Sequence, residues 1–156
     1  MPDGQLGHEK TITGLSPAIA GAKIIYGAGM VELGMTFSLE QFLIDHDIIN
    51  MIKSYTNGVP VNEETLSVKA IQEVGAGKSF LGHKTTLKNI DLPSNPEFFD
   101  RMMYGDWAKN GSRNIVDVTH EGVNKLKKNY KPTPIEKDLL KEMGAVVKRA
   151  DKERKG

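Results

Sequence analysis

Only one stretch of this sequence reads as a buried strand. Lys23-Ile24-Ile25-Tyr26 is a short apolar run with two β-branched residues, stopped by Gly27-Ala28-Gly29, the pattern of a strand that ends at a tight turn. A single strand cannot make a sheet. Every other periodic segment reads as helix. The chain therefore either hides strands in segments of weak pattern or uses strands contributed by other polypeptide.

The helical segments are easier to place. Ile12, Leu15, Ile19 and Ala22 recur at helical spacing and predict a helix from about Leu6 to Ala22. Pro17 inside it predicts a kink or a restart near Ser16, because proline removes a backbone donor and clashes with the preceding turn. The stretch Met30 to Phe37, which contains Gly34, reads as a loop. Ser38 with Gln41 predicts a capping box for a helix with Leu39, Phe42, Leu43, Ile49 and Ile52 on its apolar face, stopped by Asn57-Gly58. A further helix is expected after Asn62, ending near Gly75-Ala76-Gly77. Asn95-Pro96 reads as an N-cap with proline at the first helical position, ahead of Phe98, Phe99, Met102 and Met103. Ser112 is expected to cap a helix striped by Val116, Thr119, Val123, Leu126 and Tyr130. Thr133 with Glu136 predicts a capping box for a last helix, with Ile135, Leu139, Met143 and Val146 as its face.

Charge and composition exclude several functions. Lys plus Arg is 21 and Asp plus Glu is 20, a net charge of +1, which gives no electrostatic case for nucleic acid or an anionic membrane. The lysines near Lys125 to Lys128 and at Lys148-Arg149 are interleaved with Glu121, Glu136 and Glu142, as on a solvated face. There is no cysteine, so disulfides, thiolate nucleophiles and Cys-ligated metals are excluded. No apolar run approaches the roughly 20 residues of a membrane span, and the start Met1-Pro2-Asp3-Gly4-Gln5 lacks the basic and apolar regions of a signal peptide. A cytoplasmic protein is expected.

No phosphate-binding loop, dinucleotide fingerprint or HExxH zinc motif is present. The histidines, His8, His46, His83 and His120, include no pair at helical metal-ligand spacing. His46 falls between Phe42 and Ile49 on an apolar face, which predicts a hydrogen-bonded core histidine. His8 and His83, beside glycines, read as loop or cap residues. The segment with most chemistry is Tyr26 to Phe37, which joins the end of the strand to the next helix and carries an aromatic at either end, one carboxylate and several glycines. In an α/β barrel this is the face where active sites are built. Aromatic faces attract alkylammonium groups, and Glu32 can add charge or carry a proton. The plainer reading makes Tyr26 and Phe37 core residues and Glu32 a solvated one.

Several short pieces, in order, resemble the trimethylamine methyltransferase family. They are Pro2-Asp3-Gly4-Gln5, Gly7-His8-Glu9-Lys10, Ala20-Gly21-Ala22, Ile25-Tyr26-Gly27-Ala28-Gly29-Met30-Val31-Glu32, Gly34, Thr36-Phe37-Ser38 and Glu40-Gln41. Glu73-Val74-Gly75, Phe80-Leu81-Gly82-His83 and Thr86-Leu87-Lys88 continue the likeness. His8 stands where many relatives carry tyrosine, and Pro17 interrupts a helix that is usually smoother. The resemblance implies an α/β fold, the C-terminal part of a (β/α)₈ barrel. Residues 1–92 would supply terminal βα units and residues 93–156 a helical extension. It further implies transfer of a methyl group from trimethylamine, or from a related amine such as glycine betaine, to cobalt(I) of a corrinoid (cobalamin) carried by a partner protein, with no cofactor bound by this chain.

On that reading Tyr26 and Phe37 are aromatic walls and Glu32 is the catalytic counter-charge or proton carrier. Gly27, Gly29 and Gly34 let the loop approach the substrate. The trimethylamine members carry pyrrolysine, encoded by an in-frame amber codon. Its position is expected shortly before Pro2, so Met1 would be an internal methionine of a longer protein and this piece alone would be inactive. A homo-oligomer is expected. The alternative is a non-catalytic helical module that docks a partner protein.

Overall fold

The computed structural model describes residues 2–155, which form two compact units, one ending at Lys125 and the other beginning at Leu126.

In the first unit, α1 (Gly4–Ile19) packs against α2 (Leu39–Asn57). Asp3 caps α1 by accepting from the Leu6 amide at 2.9 Å. Pro17 lies inside α1, which runs unbroken past it to Ile19 rather than restarting at Ser16. Pro17 forfeits the amide hydrogen bond to the carbonyl one turn earlier, and the helix ends two residues later, where Gly21 at φ +91° carries the chain away. A Cβ on Gly14 would stand 2.9 Å from Ile52 Cδ1, so glycine lets the two helices approach. The core is Ile44, Ile48 and Ile52 of α2, joined by Leu15, Ala18, Ile25, Phe99 and Ile115.

The expected strand at Lys23–Tyr26 is corrected. Ile24, Ile25 and Tyr26 are not assigned to any strand, and none of their backbone groups takes part in a hydrogen bond among the described residues. A strand exists only through its ladder, and among the described residues no second β-segment lies beside this one. Ile25 still packs its side chain on the core. Pairing occurs instead in the stretch expected to be a loop. There β1 (Met30–Val31) and β2 (Thr36–Phe37) are antiparallel, with Met30 opposite Phe37 and Val31 opposite Thr36. A 3₁₀ turn over Glu32–Gly34 joins them.

Ser38 caps α2 as expected, its hydroxyl accepting from the Gln41 amide at 3.1 Å. The other half of the capping box is absent, because the Gln41 side chain turns to Asp45. Leu43 and Ile52 are buried, whereas Leu39 and Phe42 are exposed. His46 is exposed rather than core and pairs with Asn50 one turn on. The buried positions of α2 lie on more than one side, including Gln41, Asp45 and Asp47, as suits a helix covered from several directions.

The helix after Asn62 forms as two pieces, α3 (Glu63–Leu66) and α4 (Val68–Val74), broken where Ser67 adopts φ +52°. Asn62 caps α3 in a reciprocal box with Thr65, and His83 caps α5 (Lys84–Lys88). No helix follows Asn95-Pro96. The amides of Glu97, Phe98 and Phe99 are claimed by the Asp47 carboxylate, and the next helix, α6 (Tyr104–Lys109), starts later. Asn114, not Ser112, supplies the cap of α7 (Ile115–Asn129), accepting from Val116 and Asp117. Thr119 and Val123 are the buried members of its stripe.

The second unit contains α8 (Lys137–Lys155), whose apolar residues Leu139, Met143 and Val146 are about half exposed. The accessible surface of the chain is 12942 Å², against about 9,000 Å² expected even for two separate globules of these sizes. Large apolar side chains stand open in it: Ile24 is 80% exposed, Met35 85% and Leu33 fully. No helix among the described residues is long and apolar enough to cross a membrane.

Candidate functional site

The Tyr26–Phe37 segment is built on a tight turn. Met30 N donates to Gly27 O at 3.0 Å, with Gly27 at φ +93° and Gly29 at φ +78°. Gly29 is needed twice over, since a Cβ there would stand 2.6 Å from Phe37 Cε2 and 3.0 Å from Phe42 Cβ. The Phe37 and Phe42 rings meet at 5.9 Å and a tilt of 41°. Gly34, at φ +85°, lies under Met30 Cε at 2.8 Å from an added Cβ. Glu32 and Leu33 both adopt left-handed backbone, φ +52° and +54°. Such strain is held by surrounding structure and gathers at working sites. The Thr36 hydroxyl donates to the Glu32 carboxylate at 2.6 Å and steadies the bend.

The segment thus divides in two. Tyr26 and Gly27 line a small cavity, about 80 Å³, together with Lys10, Asp45 and Ile48. Glu32, Gly34 and Phe37 belong to the hairpin outside it. Gly29 connects the halves, touching the Phe37 ring on one side and the cavity's carboxylate on the other. The rings of Tyr26 and Phe37 are open, 88% and 57% exposed, so neither is a core residue within this chain.

Beneath the turn lies a polar network that pattern reading does not reveal. Asp45 is 3% exposed. Its Oδ2 accepts from Lys10 Nζ at 2.8 Å and from the Gly29 amide at 2.8 Å. Its Oδ1 accepts from Gln41 Nε2 at 2.7 Å. Lys10 also donates to Gly27 O at 3.1 Å. A buried carboxylate is tolerated only when paired and hydrogen-bonded, and three donors meet that need. Lys10 and Gln41 stand within the family-like pieces. The sequence signal for Asp45 is a carboxylate amid Leu43, Ile44 and Ile48, one turn after Gln41.

At the N-terminus of α2 His120 Nδ1 lies 3.0 Å from Glu40 Oε1, and this hydrogen bond is the main cause that holds the Glu40 carboxyl below its usual range. His83 pairs with Glu73 at 3.2 Å, and His8 is exposed on α1. Among the described residues no group of three or more His, Asp or Glu side chains could hold a metal ion.

A family model described as trimethylamine methyltransferase matches residues 1–155. The chain is 54% identical over all its 156 residues to a trimethylamine methyltransferase of Methanosarcina barkeri, of which it covers 32%. It is 58% identical over 145 residues to one from Methanosarcina thermophila, covering 93% of this chain and 30% of that protein. A glycine betaine methyltransferase of Desulfitobacterium hafniense is 28% identical over 153 residues, 97% of this chain and 32% of the relative. The chain spans about a third of the length of the curated relatives it matches, and it belongs to the trimethylamine methyltransferase family.

Proposed function

We propose that this chain is one part of an enzyme that moves a methyl group from trimethylamine to the cobalt(I) of a corrinoid carried by a partner protein, and that its Tyr26–Phe37 segment forms part of the amine pocket of a (β/α)₈ barrel. The observation that carries this is the 54% identity, over every residue, to a trimethylamine methyltransferase. The 28% identity to a glycine betaine relative favours the tertiary amine over the betaine.

The chain's own residues fit that chemistry. Protonated trimethylamine is a small cation with no hydrogen-bond acceptor. The open faces of Tyr26 and Phe37 attract such a cation through their ring quadrupoles. The Glu32 carboxylate adds opposite charge and can accept a hydrogen bond from the ammonium N–H, whose proton stays on nitrogen as the methyl group departs, so that neutral dimethylamine leaves. The bond broken is carbon to nitrogen and the bond formed is carbon to cobalt. The corrinoid supplies the nucleophile, and the barrel orients the amine and excludes water. The reading includes a pyrrolysine supplied by polypeptide outside this chain, so the chain by itself is expected to be inactive.

The test is to express the uninterrupted gene product, mix it with trimethylamine and the cobalt(I) corrinoid protein, and follow the cobalt absorption spectrum. Methylation with trimethylamine and little with glycine betaine is expected. Absence of methyl transfer from every methylated amine and betaine tried would end the reading.

A further inference from the structure

The strongest unassigned feature is the buried Asp45 network. It joins three separated parts of the chain, α1 through Lys10, the Gly27–Gly29 turn, and α2 through Gln41 and Asp45. Isolated charges are costly to bury, and an apolar residue could fill this space. What the carboxylate adds is direction. Gly29 is gripped at both ends: its amide donates to Asp45 at 2.8 Å and its carbonyl accepts from the Ser38 amide at 2.9 Å. The Gly27 carbonyl is held by Lys10 and by the Met30 amide. The turn so fixed has Tyr26 immediately before it and the Phe37 ring resting on Gly29.

We infer that Asp45 is a positioning residue for the amine pocket: through the Gly29 amide and Lys10 it sets where the Tyr26 and Phe37 faces stand, and thereby how tightly the methylammonium is held. The inference rests on the proposed function. Gln41, 1% exposed, acts one step behind by fixing the second carboxylate oxygen.

The experiment is steady-state methyl transfer by the uninterrupted gene product carrying Asp45→Asn, with trimethylamine and the corrinoid protein varied separately. Asparagine keeps the shape but removes the charge that orients Lys10 and Gly29. The expected result is an amine KM raised about tenfold, with the KM for the corrinoid protein unchanged. A merely structural role would lower the amount of active enzyme, and hence the apparent kcat, and leave the amine KM alone. The neutral pair Lys10→Met with Asp45→Asn leaves no unpaired buried charge and covers the case in which the single variant does not fold. The same rise in amine KM is expected from it.

An amine KM within twofold of wild type in the variants that fold overturns the inference. So does failure of both the single and the double variant to fold, which would make Asp45 a folding residue. Wild-type inactivity toward every amine sinks the proposed function and this inference together, whereas an active wild type with unmoved amine KM in the variants sinks the inference alone.

Discussion

Replacing Asp47 with alanine should release residues 97–99 from the body of the first unit. Asp47 is 0% exposed. Its Oδ2 accepts from the Phe98 amide at 2.6 Å and the Phe99 amide at 2.9 Å, and its Oδ1 accepts from the Glu97 amide at 2.9 Å. Hydrogen bonds to a charged group contribute about 1.5–3 kcal/mol each. Two of these share one oxygen, so they do not add fully, and Glu97 is exposed and can turn to water. A loss of about 4 kcal/mol is the reasonable figure, in line with breaking one side of a buried charged interaction. For the amides of 97–99 this corresponds to roughly 1,000-fold faster hydrogen exchange through local opening, measured by mass spectrometry. Asp100 is the control, since its carboxylate caps only the Met102 amide at an exposed site, and Asp100→Ala should change exchange at 97–99 by less than about tenfold. If Asp47→Ala also stays within tenfold of wild type, the buried carboxylate is not what holds the segment.

Two further outcomes follow from the same packing. In Gly122→Ala the new Cβ would stand 2.8 Å from Phe98 Cε1 and 2.9 Å from Leu43 Cδ1; overpacking of about 1–3 kcal/mol should outweigh the gain of up to about 1 kcal/mol in helix propensity, so the melting temperature falls instead of rising. Glu40 has a lowered folded pKa, held there chiefly by the hydrogen bond with His120, so its contribution is complete above its ordinary value of 4.5 and is lost as pH falls from there through the folded value; Glu40→Gln should flatten that acid limb in melting curves recorded across pH 3–5, and an unchanged limb would refute it.

What was legible in the residues was local. Ser38 and Asn62 announce helix starts because a cap acts within three residues, and Gly27-Ala28-Gly29 announces a tight turn. The hairpin between β1 and β2 was not legible, because its bend uses Glu32 and Leu33 in left-handed backbone where asparagine or glycine is the usual sign. The Asn95-Pro96 start signal is sound by local rules, but the amides that would open a helix are taken by a carboxylate about fifty positions earlier. Ser38 and Gln41 have capping-box spacing, yet Asp45 draws the glutamine side chain away. In the Tyr26–Phe37 segment the order of residues marks where the aromatics and glycines stand, but not that the chain divides there into a cavity wall and an outlying hairpin. Lys10 and Asp45 could not be paired, since their 35-residue separation carries no periodic signal: the apolar neighbours of Asp45 mark it as buried without naming its partner, and Lys10 alone reads as an ordinary surface charge.

The bare ribbon at Ile24–Tyr26 gives the molecule a built-in gauge. Its amides have no acceptor among the described residues, so in a preparation of the chain alone they should exchange with deuterium at close to free-peptide rates. On the proposed function, adding the remaining part of the barrel, in one piece with the chain or as a separate complementing fragment, should slow exchange at these same three positions, the first readable sign that a neighbouring strand has docked.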